Sequence, residues 1–89
     1  MAEVLVLMRI FPEDPEADMG KILEDLKSRL PGEVKVRDHR AEEMGFGLRS
    51  LLVAFTMPDR EGVGEELEQT VRGVGGVSEI NVERVTRIL

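Results

Sequence analysis

His39 is the only histidine among the 89 residues, so histidine-based acid–base or metal chemistry would have to start there. Around it Val34 and Val36 alternate with Lys35 and Arg37, which places His39 on the polar side of a strand, with Asp38 on the opposite face. A metal site would need partners beside it. A nucleophilic triad would need Ser28, Ser50 or Ser78 to meet it, and no spacing brings them there. There is no cysteine, so thiol catalysis, disulfides and thiolate metal sites are excluded. The glycines fail as phosphate cradles. Gly20-Lys21 has Ile22 where a phosphate-binding loop needs Ser or Thr, and Pro15 where it needs its leading glycine. Gly62-Val63-Gly64 opens like a dinucleotide fingerprint, but Leu67 occupies the third glycine position. The carboxylates fall on helix faces, the ordinary place for solvated charge. These residue types predict no covalent chemistry, no cofactor and no nucleotide bound by the chain itself.

A different feature stands out in Met44-Gly45-Phe46-Gly47-Leu48. The chain has only three aromatic residues, all Phe, and one of them sits between two glycines ahead of a strongly apolar run. The ring could fold back to cap the core, as buried Phe commonly does. Alternatively, glycine on both sides lets the backbone hold the ring outward, or Gly45 and Gly47 simply form a loop that needs positive φ.

Composition narrows the classes further. Apolar residues make up 42% and charged residues 34%, which is the balance of a globular domain with a charged surface. At this length one core and one domain, residues 1–89, are expected. The net charge of −6 and the scarcity of aromatics argue against nucleic acid, which calls for basic stripes and stacking platforms. No apolar run approaches a membrane span, and MAEVLVLMRI lacks the marks of a signal peptide. The chain, beginning with Met, is read as complete and cytoplasmic.

The elements that position these residues follow from periodicity. In residues 3–10 Val4, Val6, Met8 and Ile10 share one face and Leu5 and Leu7 the other, with Arg9 after them, as in a central strand. Asp14-Pro15-Glu16 predicts a helix start, with Asp18 a rival cap, and Met19, Ile22, Leu23, Leu26 and Leu30 form its stripe up to Pro31-Gly32. Residues 33–41 predict an exposed edge strand. In residues 48–57 Leu51, Val53, Phe55 and Met57 face one way and Leu52 and Ala54 the other, giving a second central strand. Pro58-Asp59 ends it and can begin a helix whose stripe is Val63, Leu67, Val71 and Val74, closed by Gly73, Gly75 and Gly76. In the last strand Ile80 and Val82 share parity and Val85 breaks it, which a bulge or a change of role near Glu83–Arg84 would explain. The order βαββαβ is that of the ferredoxin-like α+β sandwich, a four-stranded antiparallel sheet with two helices on one face. Arg49 and Lys21 read as surface charge, Met8, Met19 and Met57 as core, and Met44 as exposed beside Phe46.

Three segments, in this order, carry a resemblance. They are LMRIFPEDPEADMGKIL (7–23), MGFGLRSLLV (44–53) and INVERVTRIL (80–89). With the element order, they make the whole chain similar to the archaeal translation elongation factor 1-beta family. The resemblance implies guanine-nucleotide exchange on the GTPase elongation factor 1-alpha, with no covalent bond changed. It implies that Phe46, between Gly45 and Gly47, contacts that partner. It also implies that Arg87 matches the family's near-terminal basic residue and reaches toward the Mg²⁺ and phosphates, with Arg84 a second candidate. The chain departs in carrying Arg where eukaryotic members have Lys, and in having Ile88-Leu89 follow. The same element order also fits a small-ligand regulatory domain of the ACT type, and an acylphosphatase-like enzyme. The latter would want an arginine in the loop after the first strand, where FPEDPEAD is acidic. Fold alone does not separate these readings.

Overall fold

The structure is a computed structural model that describes residues 2–88. Its elements run β1 (Glu3–Pro12), α1 (Met19–Arg29), β2 (Lys35–Gly45), β3 (Leu48–Pro58), α2 (Val63–Arg72) and β4 (Val77–Arg87). The strands form one antiparallel sheet in the order β2-β3-β1-β4. The two runs that are apolar on both faces, β1 and β3, are the central pair, as their patterning predicts. With two helices in βαββαβ order, this is a ferredoxin-like α+β fold.

One sheet face is covered. Val4, Val6, Met8 and Ile10 from β1 meet Leu51, Val53 and Phe55 from β3, and the stripes of α1 and α2 close over them in a single core. The other face carries no helix. There Leu5, Leu7 and Arg9 of β1 lie beside Thr56, Ala54 and Leu52 of β3 by direct pairing.

The helix starts are where sequence reading needs correction. Asp18, not Asp14, caps α1, its Oδ1 accepting from the Lys21 N–H. Asp14 instead folds the preceding segment into a turn, accepting from the Glu16 N–H through its side chain and from the Ala17 N–H through its carbonyl. Likewise Pro58-Asp59 closes β3 without opening a helix. The chain goes on to Gly62, in the left-handed conformation at φ 89°, before α2 begins at Val63. Glu65 and Glu66 in the first turn complement the helix dipole where no side chain caps it.

The register shifts all fall on the two edge strands. Along β4, Leu7 pairs with Arg84 and Met8 with Val82, so Glu83 is an extra residue, a bulge that explains the broken parity of Val85. Ser78 is extra in the same way. Along β2, Arg37 and Met44 are extra. Bulged edges are poor templates for pairing with another chain. The bulge at Arg37 also moves His39. It pairs with Val53 and so lies on the helix side of the sheet with Val36, not on the polar side with Lys35, although it remains exposed.

Candidate functional site

Gly45 pairs with Leu48, so Phe46 and Gly47 alone form the turn between β2 and β3. Gly45, Phe46 and Gly47 have φ of 86°, 55° and 76°. Positive φ at both turn residues is the type I′ pattern, whose twist matches that of the strands it joins. The glycines adopt this freely. Phe46 does not, and it is the one described non-glycine residue with positive φ. The ring is wholly exposed, at 104% of its reference area. It does not fold back to cap the core. Met44 and Leu48, either side of the turn, are 46% and 52% exposed, so the hairpin tip is an apolar patch.

Behind the tip the hairpin is braced at two points. Arg49, expected as surface charge, turns out to be a structural tie. Its guanidinium donates to the carbonyls of Pro15 and Ala17, fixing the β1–α1 connection against β3. Arg9 is the second brace and the one that sequence reading missed. From β1 it donates to Glu83 at 2.6 Å, Glu42 at 2.8 Å and the Ser50 hydroxyl at 2.8 Å, thereby linking all four strands. Its side chain is only 13% exposed, although it lies on the face that no helix covers. The two carboxylates hold the guanidinium pKa above its ordinary value, Glu83 first and Glu42 next. In return, the hydrogen bond from Arg9 holds the Glu42 carboxyl below the usual carboxylate range. The bulge at Glu83 was the available signal. An extra residue on β4 beside a lone cation in a central strand brings an acid across to it.

The candidates in the last strand lie elsewhere. Arg87 pairs with Val4, which pairs with Met57, so it stands at the other end of the sheet from the hairpin tip. At about 3.4 Å per residue along β3, the two ends are about 30 Å apart, in a molecule whose longest extent is 42 Å. Arg87 is ion-paired with Asp59, at the close of β3. Arg84 pairs with Leu7 on the open face, is exposed, and has no ion-pair partner among the described residues. The structure therefore brings Gly45, Phe46 and Gly47 together and does not bring Arg84 or Arg87 to them. Leu89, which follows this strand in the sequence, lies outside the described residues.

No group of three His, Asp or Glu side chains among the described residues is placed to hold a metal. What the residues form is a braced sheet with an apolar hairpin tip at one end and the exposed Arg87–Asp59 ion pair at the other.

A family model and three known proteins match this sequence under one description. The EF-1 guanine nucleotide exchange domain matches residues 5–88. Elongation factor 1-beta of Staphylothermus marinus is 40% identical over 89 residues, covering 99% of each chain. That of Methanocorpusculum labreanum is 32% identical over the whole of both chains, and that of Sulfolobus acidocaldarius 36% identical over 97% of each. Length and sequence agree, and the chain belongs to the elongation factor 1-beta family of guanine nucleotide exchange domains.

Proposed function

We propose that the chain drives exchange of GDP for GTP on elongation factor 1-alpha, by binding the nucleotide-free GTPase better than the nucleotide-bound one. The observation that supports this most directly is Phe46, a fully exposed ring held on left-handed backbone at a hairpin tip. Such a ring costs the free protein stability and supplies a rigid apolar anchor to a partner. No bond is made or broken. By linkage, whatever factor the exchange factor gains on nucleotide-free GTPase is lost from nucleotide affinity, at about 1.4 kcal/mol per tenfold.

In this reading the two ends divide the work. Phe46, presented by Gly45 and Gly47, anchors the complex. Arg87, with Arg84 nearby on the other side of β4, brings positive charge toward the Mg²⁺ and phosphates of the GTPase. Arg87 must leave Asp59 to do so, and an exposed ion pair of this kind opens at a cost of about 0–1 kcal/mol. The chain itself holds neither nucleotide nor cofactor, touches neither membrane nor nucleic acid, and acts in the cytoplasm.

The test is release of fluorescent GDP from elongation factor 1-alpha of the same organism. Substoichiometric protein should accelerate release over many turnovers, and Phe46→Ala should reduce the acceleration at least tenfold with the fold intact. No acceleration at micromolar protein, with an active GTPase, would sink the proposal. Amino acids and other small ligands would then be screened for binding, as an ACT-type domain requires.

A further inference from the structure

Beside the hairpin tip the surface is concave. A cleft of about 310 Å³ opens between the root of the hairpin and the segment leaving β1. Phe11, Pro12, Met44 and Leu48 give it an apolar floor, and Glu13 and Glu79 stand at its margin. Phe11 and Glu79 are paired neighbours across β1 and β4, and Glu13 is held next to them by its N–H donating to the Gly76 carbonyl. Neither carboxylate has an ion-pair partner among the described residues, whereas Arg9, Arg40, Arg60, Arg72 and Arg87 are all paired with acids. The cleft has one cation of its own, Arg49, whose donors are turned to the carbonyls of Pro15 and Ala17 and not to either acid, so the lining carries two carboxylates to one guanidinium. An apolar trough edged by two uncommitted carboxylates matches one kind of side chain. Lysine and arginine lay an aliphatic stem on apolar surface and carry a charge at the far end.

We propose that this cleft receives a lysine or arginine side chain from the partner GTPase, adjoining the contact made by Phe46. The inference rests on the exchange-factor reading and adds to it the chemistry of the partner's surface. That surface presents an apolar seat for the ring and, next to it, a basic residue whose stem crosses Met44 and Leu48 and whose charge meets Glu13 and Glu79. The contact is partly desolvated and carries opposite charges, so it contributes to affinity and makes association depend on salt.

The experiment measures binding of the full chain to nucleotide-free elongation factor 1-alpha at 50 mM and 300 mM salt, alongside GDP release. The double variant Glu13→Gln/Glu79→Gln should bind about five- to tenfold more weakly at low salt and show a flatter salt dependence. Glu79→Lys should weaken binding further. Unchanged thermal melting separates these effects from misfolding. Wild-type exchange that depends on Phe46, together with a double variant that binds like wild type at both salts, would overturn the cleft proposal and leave the exchange reading standing. A wild-type chain that neither binds the GTPase nor accelerates release would overturn both.

Discussion

Phe46 breaks a local rule that the rest of its turn obeys. Type I′ turns favour Asn-Gly, because asparagine tolerates the left-handed region and a bulky residue does not. Holding a non-glycine residue there costs roughly 1–2 kcal/mol, and the exposed ring recovers none of it by packing. Phe46→Asn should therefore raise stability by about 0.5–1 kcal/mol in urea unfolding while weakening binding to elongation factor 1-alpha at least tenfold. Loss of both stability and binding would show that the ring supports its own fold. The sequence displayed half of this feature. Two glycines about a Phe are visible in any reading, and they left open whether the ring caps the core or faces outward. The positive φ of Phe46 itself is not visible, because it follows from a strand pairing that leaves only two residues to make the turn. His39 was misplaced for a similar reason, since alternation counts residues and cannot see the extra one at Arg37.

At the scale of elements, the parity break in β4 was readable and its consequence was not. Val85 falls out of step with Ile80 and Val82, and the bulge at Glu83 follows. That the bulged acid would reach Arg9, and that Glu42 and the buried Ser50 would join them, requires the order β2-β3-β1-β4 and a register. Arg9→Met removes the donor from the fully buried Ser50 and should cost about 1–3 kcal/mol at pH 7. The deficit should depend on pH. Glu42 has its folded pKa held down by Arg9, so its stabilisation is present above the unfolded carboxylate value of about 4.3 and is lost as pH falls through the folded value. Urea midpoints of wild type and Arg9→Met should thus converge between pH 5 and pH 2, leaving the part due to Ser50, which does not titrate. The Glu33–Arg60 pair acts in the same direction and is common to both proteins, so it cancels in the comparison. A gap that stays constant with pH would mean that the ion pair adds nothing to the fold. If the hairpin is braced through Glu42 and Met44, as the contacts of Arg9 indicate, Arg9→Met should also slow GDP release without altering any surface proposed to touch the partner.

Across the whole molecule the sheet works as a spacer. Its two central strands were legible as runs apolar on both faces. Their antiparallel pairing carries Leu48 to one end and Glu3, Pro58 and Arg87 to the other. No local pattern states that separation, because it comes from strand length multiplied through the pairing. It has an energetic consequence. Sites about 30 Å apart that share no contacting residue within the chain contribute independently, within about 0.3–0.5 kcal/mol. A double-mutant cycle on binding to nucleotide-free elongation factor 1-alpha should therefore find Phe46→Ala and Arg87→Ala additive. Their kinetic signatures should differ. If Phe46 is the anchor proposed above, Phe46→Ala should raise the concentration needed for half-maximal exchange. If Arg87 delivers charge to the nucleotide site as proposed, Arg87→Ala should lower the maximal rate of GDP release with a smaller effect on that concentration. Arg87→Lys, which keeps the charge and loses the planar fork, should restore most of the rate if the cation acts as a point charge on the Mg²⁺ and phosphate region. Failure of Lys to restore it would assign Arg87 a bidentate contact. Strong coupling between the two ends would require the GTPase to close around both at once, and the bound complex would then be more than two independent contacts on a rigid sheet.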